Sequence, residues 1–353
     1  MINERFDNTD FRFEHEIDRF NLKDDIDYFT MIGKKKKMSL EFDFQLEGSH
    51  LSYYIEFSND KEVAYEKLYK KTARKDLLFF EREHSKLEFG YGIVLNRKDA
   101  LVQSVFAENY HSHSVLGVLS YLWTEDKIEI KDDLANLLYF ILSSFVRIKD
   151  YFYGLNYYTF MHDIVMTPSE GVVNLHTKER LEQSCELMNG LLNYFYPHLH
   201  RLEYEFSDEK DGLYETKIFI YKKFKQQTVK IPREHFSNGL VTMLYLSYSL
   251  LAMYEGKFVV VDDYTENVQY KTLEHLINAT MIEFEQQAIL TLNDLDALDI
   301  IDPNSLYISY YNDGNHYIEA LNDIDAIRAN HNIRKRYIEG VYVKDMQYGK
   351  IPF

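Results

Sequence analysis

The chain has 353 residues, enough to bury one elaborate core or two lobes. Its formal net charge of −17 excludes a uniformly basic nucleic-acid surface, while low Gly (14) and Pro (5) argue against long disordered linkers and low-complexity sequence. The single cysteine, Cys185, excludes an intrachain disulfide and a cysteine-based metal site, and points to a reducing, cytoplasmic setting.

Residues 1 to 37 are polar and irregular, acidic up to Asp27, and end in the lysine run Lys34 to Lys37. They lack the apolar stretch of a signal peptide. From Met38 the pattern turns strand-like. Leu40, Phe42, Phe44 and Leu46 alternate with polar residues, Gly48 turns the chain, and Leu51 to Phe57 supplies a second strand. Val63 to Tyr69, Leu77 to Arg82 and Leu87 to Val94 continue the series, which predicts an antiparallel β-rich lobe over residues 1–99.

Residues 100–200 form the predicted helical region. Asp132-Asp133 opens a helix running to Val146, with Leu137, Leu138, Phe140, Ile141 and Phe145 on its apolar side. A second helix spans Thr177 to Tyr196 and is broken by Pro197. His111-x-His113 and His198-x-His200 raise the question of a metal, but residues at i and i+2 do not share a helix face and no third ligand lies nearby. They read as surface histidines. Cys185 reads as a helix residue, and the Tyr151 to Tyr158 cluster as core.

Residues 201–353 form the third region. Strands are predicted at Leu202 to Phe206, Leu213 to Phe224 and Val229 to Ile231. Then helix and strand alternate: a helix to Tyr254, a strand Phe258 to Val261, a helix Thr272 to Phe284, and a strand Gln287 to Thr291. This alternation marks a parallel α/β sheet, with both faces of its apolar strands covered by helices. Phe236 to Tyr254 carries no charge and approaches membrane-spanning length. Ser237, Asn238, Gly239, Thr242, Ser247 and Ser249 interrupt it, so it reads as a buried helix and no membrane is implied.

Three segments in this region carry chemistry. Phe258-Val259-Val260-Val261-Asp262-Asp263 drives an apolar strand into two carboxylates. In P-loop NTPases, such a strand end holds magnesium and positions the attacking water. The bland alternative is a buried strand ending in an acidic turn. Ser237 and Gly239 open the long apolar helix, where a hydroxyl and free backbone N–H groups can meet an anion; the alternative is a plain N-cap. Gln287 to Asp294 is a short strand tipped by Thr291, Asn293 and Asp294, which could face a γ-phosphate or simply form a turn. No Gly-x-x-x-x-Gly-Lys-[Ser/Thr] loop accompanies them: Gly33-Lys34, Gly256-Lys257 and Gly349-Lys350 are each followed by the wrong residue.

In this order, the motifs resemble the ABC/SMC-like ATP-binding proteins of the bacterial AAA type, relatives of the OLD-family ATPases. Leu78-Phe79-Phe80-Glu81-Arg82 looks like a strand motif of that family, and Ser237-x-Gly239 is similar to its ABC signature. Asp262-Asp263 stands where the family has Asp-Glu, and Thr291-Leu292-Asn293-Asp294 where it has Thr-Thr-His-Asp. Ile333 to Gly340, followed by Ile351-Pro352, resembles its closing motif.

The resemblance implies an ABC-ATPase-like head: an antiparallel β-rich N-terminal lobe, a helical insert and a parallel α/β C-terminal lobe, with the first P-loop strand and helix missing. It implies Asp262 as the magnesium ligand, Asp263 and Asn293 in the catalytic positions, and Ser237 and Gly239 toward ATP held by an opposing subunit. Asp263 is one methylene shorter than the family's glutamate, and Asn293 cannot carry the proton of the family's histidine. The implied function is therefore a degenerate, regulatory or scaffold ATPase-like subunit with weak hydrolysis by itself, in a homo- or hetero-oligomer, and by family resemblance in phage defence. Two other readings stand beside it: an active ATPase whose phosphate loop comes from another chain or a split gene, and a structural protein that binds no nucleotide. Nucleic acid is not indicated by the net charge.

Overall fold

A computed structural model describes residues 38–58, 62–94, 113–124, 126, 128–147, 171–207, 212–225, 227–254, 256–265, 267–283, 287–312, 315–327 and 331–342. The chain forms two compact units, one ending at Leu142 and the other beginning at Ser143.

The first unit is built on an antiparallel meander, β1 (Met38–Leu46), β2 (Ser49–Phe57), β3 (Val63–Lys71), β4 (Leu77–Glu83) and β5 (Lys86–Phe89), paired in sequence order. The alternation read from Leu40 to Phe57 does set this pairing. The predicted strand Leu87 to Val94 is instead split. Gly90 packs closely on β4, where a Cβ would lie 2.2 Å from the Leu78 carbonyl oxygen; the chain then turns at Gly92, with φ +86, and β6 (Ile93–Val94) leaves to pair with β7 (Glu129–Ile130). Two helices, α1 (Val115–Thr124) and α2 (Asp132–Ser143), join the sheet in one core that includes Leu51, Leu68, Phe79, Phe80, Leu119 and Leu138.

A buried carboxylate fixes α1 in this core. Glu66, on β3, is fully buried and accepts from Tyr53 Oη at 2.8 Å, from the Val115 amide at 2.7 Å and from the Leu116 amide at 3.2 Å. A strand carboxylate thus caps the first turn of a helix some fifty residues away in sequence, where amides lack intrahelical partners. Burial pushes the Glu66 carboxyl above its ordinary range, opposed by these donors and by Arg82. Arg82, also buried, donates to the His113 carbonyl at 2.8 Å and so holds the backbone two residues before the helix. His113 is buried, not on the surface as its spacing suggested, because this anchoring draws its backbone into the core.

Two lysines at the end of β3 are paired with aspartates. Lys70 bonds Asp133 at 2.9 Å and Lys71 bonds Asp43 at 2.8 Å. The run Lys34 to Lys37 lies outside the described residues.

In the second unit, the helix predicted to reach Val146 stops at Ser143. Phe145 to Arg147 form a strand, β8, pairing in parallel with β13 (Val259–Val261). Apolar β-branched and aromatic residues continue a helical pattern without a break, and periodicity alone cannot separate the two. β9 (Gly171–Asn174), β10 (Leu199–Phe206), β11 (Leu213–Phe224) and β12 (Gln227–Pro232) make an antiparallel sheet in which β11 pairs with the other three. α3 (Leu175–Phe195) and α4 (Asn238–Tyr254) contribute to the main core of this unit, together with α5 (Tyr270–Asn278) and the π-helical turn Ala279–Glu283. In α4, Leu240, Met243, Leu244, Leu246, Leu250 and Met253 are buried, so the uncharged stretch is core. Among the described residues, no helix is long and apolar enough to cross a membrane.

β14 (Ala288–Leu290) completes a three-stranded parallel sheet in the order β14-β13-β8. Val259 pairs with Ala288 and Val261 with Leu290, as the two predicted apolar strands require. Among the described residues, the expected cover on both faces is incomplete. Val259 and Val261 are fully buried, but Ile289, in register with Val260, is 53% exposed; among the described residues β14 is a short strand at the edge of this sheet. A hairpin, β15 (Tyr307–Asn312) and β16 (Asn315–Ala320), and two short helices, α6 (Leu321–Ile324) and α7 (Ile333–Ile338), supply Ile308, Leu321 and Ile333 to a smaller core, which the flanking Leu306 and Tyr342 complete.

If Glu66 is the cap of α1, Glu66→Gln leaves one buried amide facing an N–H₂ group instead of an acceptor. We expect a loss of about 1–3 kcal/mol in stability, read by thermal or denaturant unfolding.

Candidate functional site

The carboxyl ends of β13 and β14 meet around one side chain. The Thr291 amide donates to the Val261 carbonyl at 3.0 Å, and the Thr291 carbonyl accepts from the Tyr264 amide at 3.0 Å, extending the ladder past the strands. This fixes the Thr291 hydroxyl. Its Oγ1 donates to Asp262 Oδ1 at 2.5 Å and accepts the Asp263 amide at 2.9 Å. One hydroxyl has one proton and free lone pairs, so both bonds are satisfied together.

Asp263 sits at φ +53, in the left-handed region that few non-glycine residues adopt. The two bonds of Thr291 and the next residue hold it there. Tyr264 is fully buried, and its hydroxyl pairs with Thr280 Oγ1 at 2.6 Å in the π-helical turn. The Asn293 side-chain amide donates to Asp263 Oδ1. Asp262 and Asp263 are half-buried; Thr291 and Asn293 are exposed. Asp294 turns away and caps the following 3-10 turn, accepting the Asp296 amide at 2.8 Å.

The other two sequence candidates lie at the start of α4. Ser237 Oγ accepts the Leu240 amide at 3.3 Å, as an N-cap does, and its side chain is exposed. Gly239 lies against the loop that follows β13: a Cβ there would be 2.7 Å from the Asn267 carbonyl oxygen. Tyr196 Oη, from the end of α3, also donates to the Gly239 carbonyl at 3.5 Å. Gly239 therefore has a packing reason to be glycine, through the same loop that carries Asp262 and Asp263.

Parallel sheets bind ligands beyond the carboxyl ends of their strands, which is where Asp262, Asp263, Thr291 and Asn293 gather. The donors are hard oxygens. Among the described residues, no group of three or more His, Cys, Asp or Glu side chains could hold a metal. The set suits magnesium, which takes one or two carboxylates and otherwise water and phosphate oxygens. It does not suit a metal caged by protein alone.

Sequence reading missed β8, whose only signal was the β-forming Phe145-Val146 pair. It also did not single out the basic hairpin of β11 and β12, although the charge run from Thr216 to Arg233 is plain. The tail motif folds as α7. Arg334 bonds Asp296 at 2.7 Å and Asp299 at 3.2 Å, and Arg336 bonds Asp325 at 2.5 Å, so two of its three cations tie the tail to its neighbours. Ile351 and Pro352 lie outside the described residues, as do His111 and Tyr151 to Tyr158.

No family model and no curated protein matches the sequence. Among solved structures, the chain is similar to one described under ATP-driven dimerization and DNA-stimulated activation of SMC ATPases. Identity is 13%, over 46% of this chain and 92% of that one, with a TM-score of 0.32. It is also similar to an Smc head bound to the C-terminal winged-helix domain of ScpA, at 11% identity over 80% of this chain and 73% of that one, with a TM-score of 0.36.

Gly→Ala inside a helix ordinarily stabilises by up to about 1 kcal/mol. Because of the 2.7 Å approach of Asn267, Gly239→Ala should do the reverse, costing about 1–3 kcal/mol in a melting experiment.

Proposed function

We propose that this protein is an ATPase-like protein of the ABC type, which receives magnesium-bound nucleotide phosphates at the carboxyl ends of β13 and β14. It acts as a regulatory or scaffold subunit of a composite site and is a poor hydrolase by itself. The observation that carries this reading is the Thr291 hydroxyl, which joins Asp262 to the Asp263 backbone across the two strands. Two carboxylates from consecutive residues are thereby held at the end of a buried parallel strand, with their orientation set before any ligand arrives.

Each residue has a role in this reading. Asp262 is the magnesium ligand: Oδ1 is oriented by Thr291, and Oδ2 is the oxygen offered to the ion. Magnesium would neutralise phosphate charge there. Asp263 stands in the position that orients a water, and Asn293 in the position that senses the γ-phosphate. Asn293 bonds Asp263 instead, which occupies one carboxylate oxygen. An amide also cannot relay a proton. Both features favour binding over turnover.

Ser237 and Gly239 supply a helix start to nucleotide held by a partner. The exposed Ser237 hydroxyl keeps its own proton for donation while its oxygen caps the helix. A partner chain, a cytoplasmic setting and a role in defence against phage follow from the motif resemblance.

The experiment is a calorimetric titration of the protein with magnesium-ATP, alongside Asp262→Ala. The account predicts binding that requires magnesium and is weakened at least about tenfold by the substitution, with the melting temperature retained. Steady-state ATP hydrolysis should stay at the background rate. Rapid turnover lost in Asp262→Asn would contradict the regulatory role. A loss of stability without any effect of nucleotide would make Asp262 a turn residue only.

A second test concerns association. Ser237→Arg removes the cap and should cost about 0.5–2 kcal/mol of stability, leaving the protein folded. It should abolish ATP-dependent association, measured by light scattering, because a long cation then projects from the helix start. Unchanged association would exclude Ser237 from the composite site.

A further inference from the structure

Charge is distributed unevenly along this chain. Its net charge is −17, yet Thr216 to Arg233 holds six Lys and Arg residues and no Asp or Glu. β11 and β12 fold this stretch into a hairpin that turns at Lys225, with φ +53. The pairing register sorts its side chains onto two faces. Ile218 and Ile220 are buried, so Lys217, Phe219, Tyr221 and Lys223 occupy the outer face. Across the strands, Tyr221 is flanked by Arg201 of β10 and Lys230 of β12.

The cations lie on the rings. The Arg201 guanidinium is 4.4 Å from the Tyr221 ring centroid, and Lys230 Nζ is 3.8 Å from that of Phe219. Three carboxylates share the face: Glu203 pairs with Arg201 at 2.7 Å, Glu205 with Lys230, and Glu215 with Lys217 at 3.8 Å. Lys223 and Lys225, both exposed, have no acidic partner among the described residues. Elsewhere, Lys70, Lys71, Arg334 and Arg336 are paired with Asp, and among the described residues none of them lies against an aromatic ring together with unpaired neighbours on one sheet face.

We propose that the outer face of the β10–β11–β12 sheet binds single-stranded nucleic acid. Arg201, Lys217, Lys223, Lys225 and Lys230 meet the phosphates, and the Arg201 plane, backed by Tyr221, is a stacking surface for an unpaired base. Phosphates take over the cations from the three surface carboxylates, and the counterions released from the strand drive the exchange. Guanidinium and aromatic planes accept any base face, which a duplex keeps hidden in its stack. An acidic polypeptide such as polyglutamate brings carboxylates but no aromatic base face to stack on Arg201. This inference is independent of the nucleotide site, because a different sheet carries it.

The test is fluorescence anisotropy of a labelled oligothymidine of about 20 nucleotides with the full chain. Five phosphate contacts on a single strand predict that affinity falls about 100-fold between about 50 and 200 mM salt. The triple variant Lys217→Gln, Lys223→Gln, Lys225→Gln should bind more weakly at low salt and lose only about sevenfold over the same range, with its melting temperature unchanged. Arg201→Lys keeps the charge and removes the plane, so the salt dependence should persist while affinity drops about tenfold. The proposal is overturned by no binding at about 100 μM protein in low salt, or by wild-type behaviour of the triple variant. It is also overturned if a duplex or polyglutamate binds as tightly as the oligonucleotide.

Discussion

The Thr291 side chain is held from both ends of its own backbone before its hydroxyl does anything. Its amide reaches Val261 and its carbonyl receives Tyr264, so the position of Oγ1 follows from the parallel register of β13 and β14. From there the hydroxyl sets the Asp262 carboxylate and the Asp263 amide in one step. Asp263 takes a left-handed backbone at this turn, a conformation Asp adopts more readily than most non-glycine residues, and the bonds to Thr291 hold it there. The buried Tyr264 completes this fixation by pairing with Thr280 in a π-helical turn, a rare geometry.

The same loop reaches back to α4. Asn267 presses its carbonyl on Gly239, and Tyr196 meets the Gly239 carbonyl from α3. The start of α4 and the acidic loop are thus mechanically linked within one unit. A ligand that moves the loop after β13 would be felt at Ser237, two residues before Gly239.

Much of this was legible from the sequence because the relevant signals are local. Three consecutive β-branched valines ending in two aspartates favour a short buried strand with a polar end, and its parallel pairing with Ala288 to Leu290 followed from the alternation with helices. The uncharged run to Tyr254 read correctly as a core helix for the same reason. β8 was hidden because Phe145 and Val146 continue the apolar face of the preceding helix without a break. The Glu66 cap was hidden because it joins residues distant in sequence, and a lone Glu in an alternating strand looks like a solvent-facing residue. Gly239 carried two meanings at once, helix start and close backbone approach, and only coordinates reveal the second. The interlock of Thr291, Asp262, Asp263 and Asn293 was visible as composition at two strand ends, but not as hydrogen bonds.

The central claim is that Asp262 is the protein's ligand to a nucleotide-bound metal. Crystals grown with a non-hydrolysable ATP analogue and manganese in place of magnesium test it most directly, through the anomalous scattering of the metal. The account predicts a peak about 2.0–2.3 Å from an Asp262 carboxylate oxygen, with phosphate density beyond the ends of β13 and β14. A metal and nucleotide seated elsewhere on the chain, or no peak at that carboxylate at saturating ligand, would contradict it.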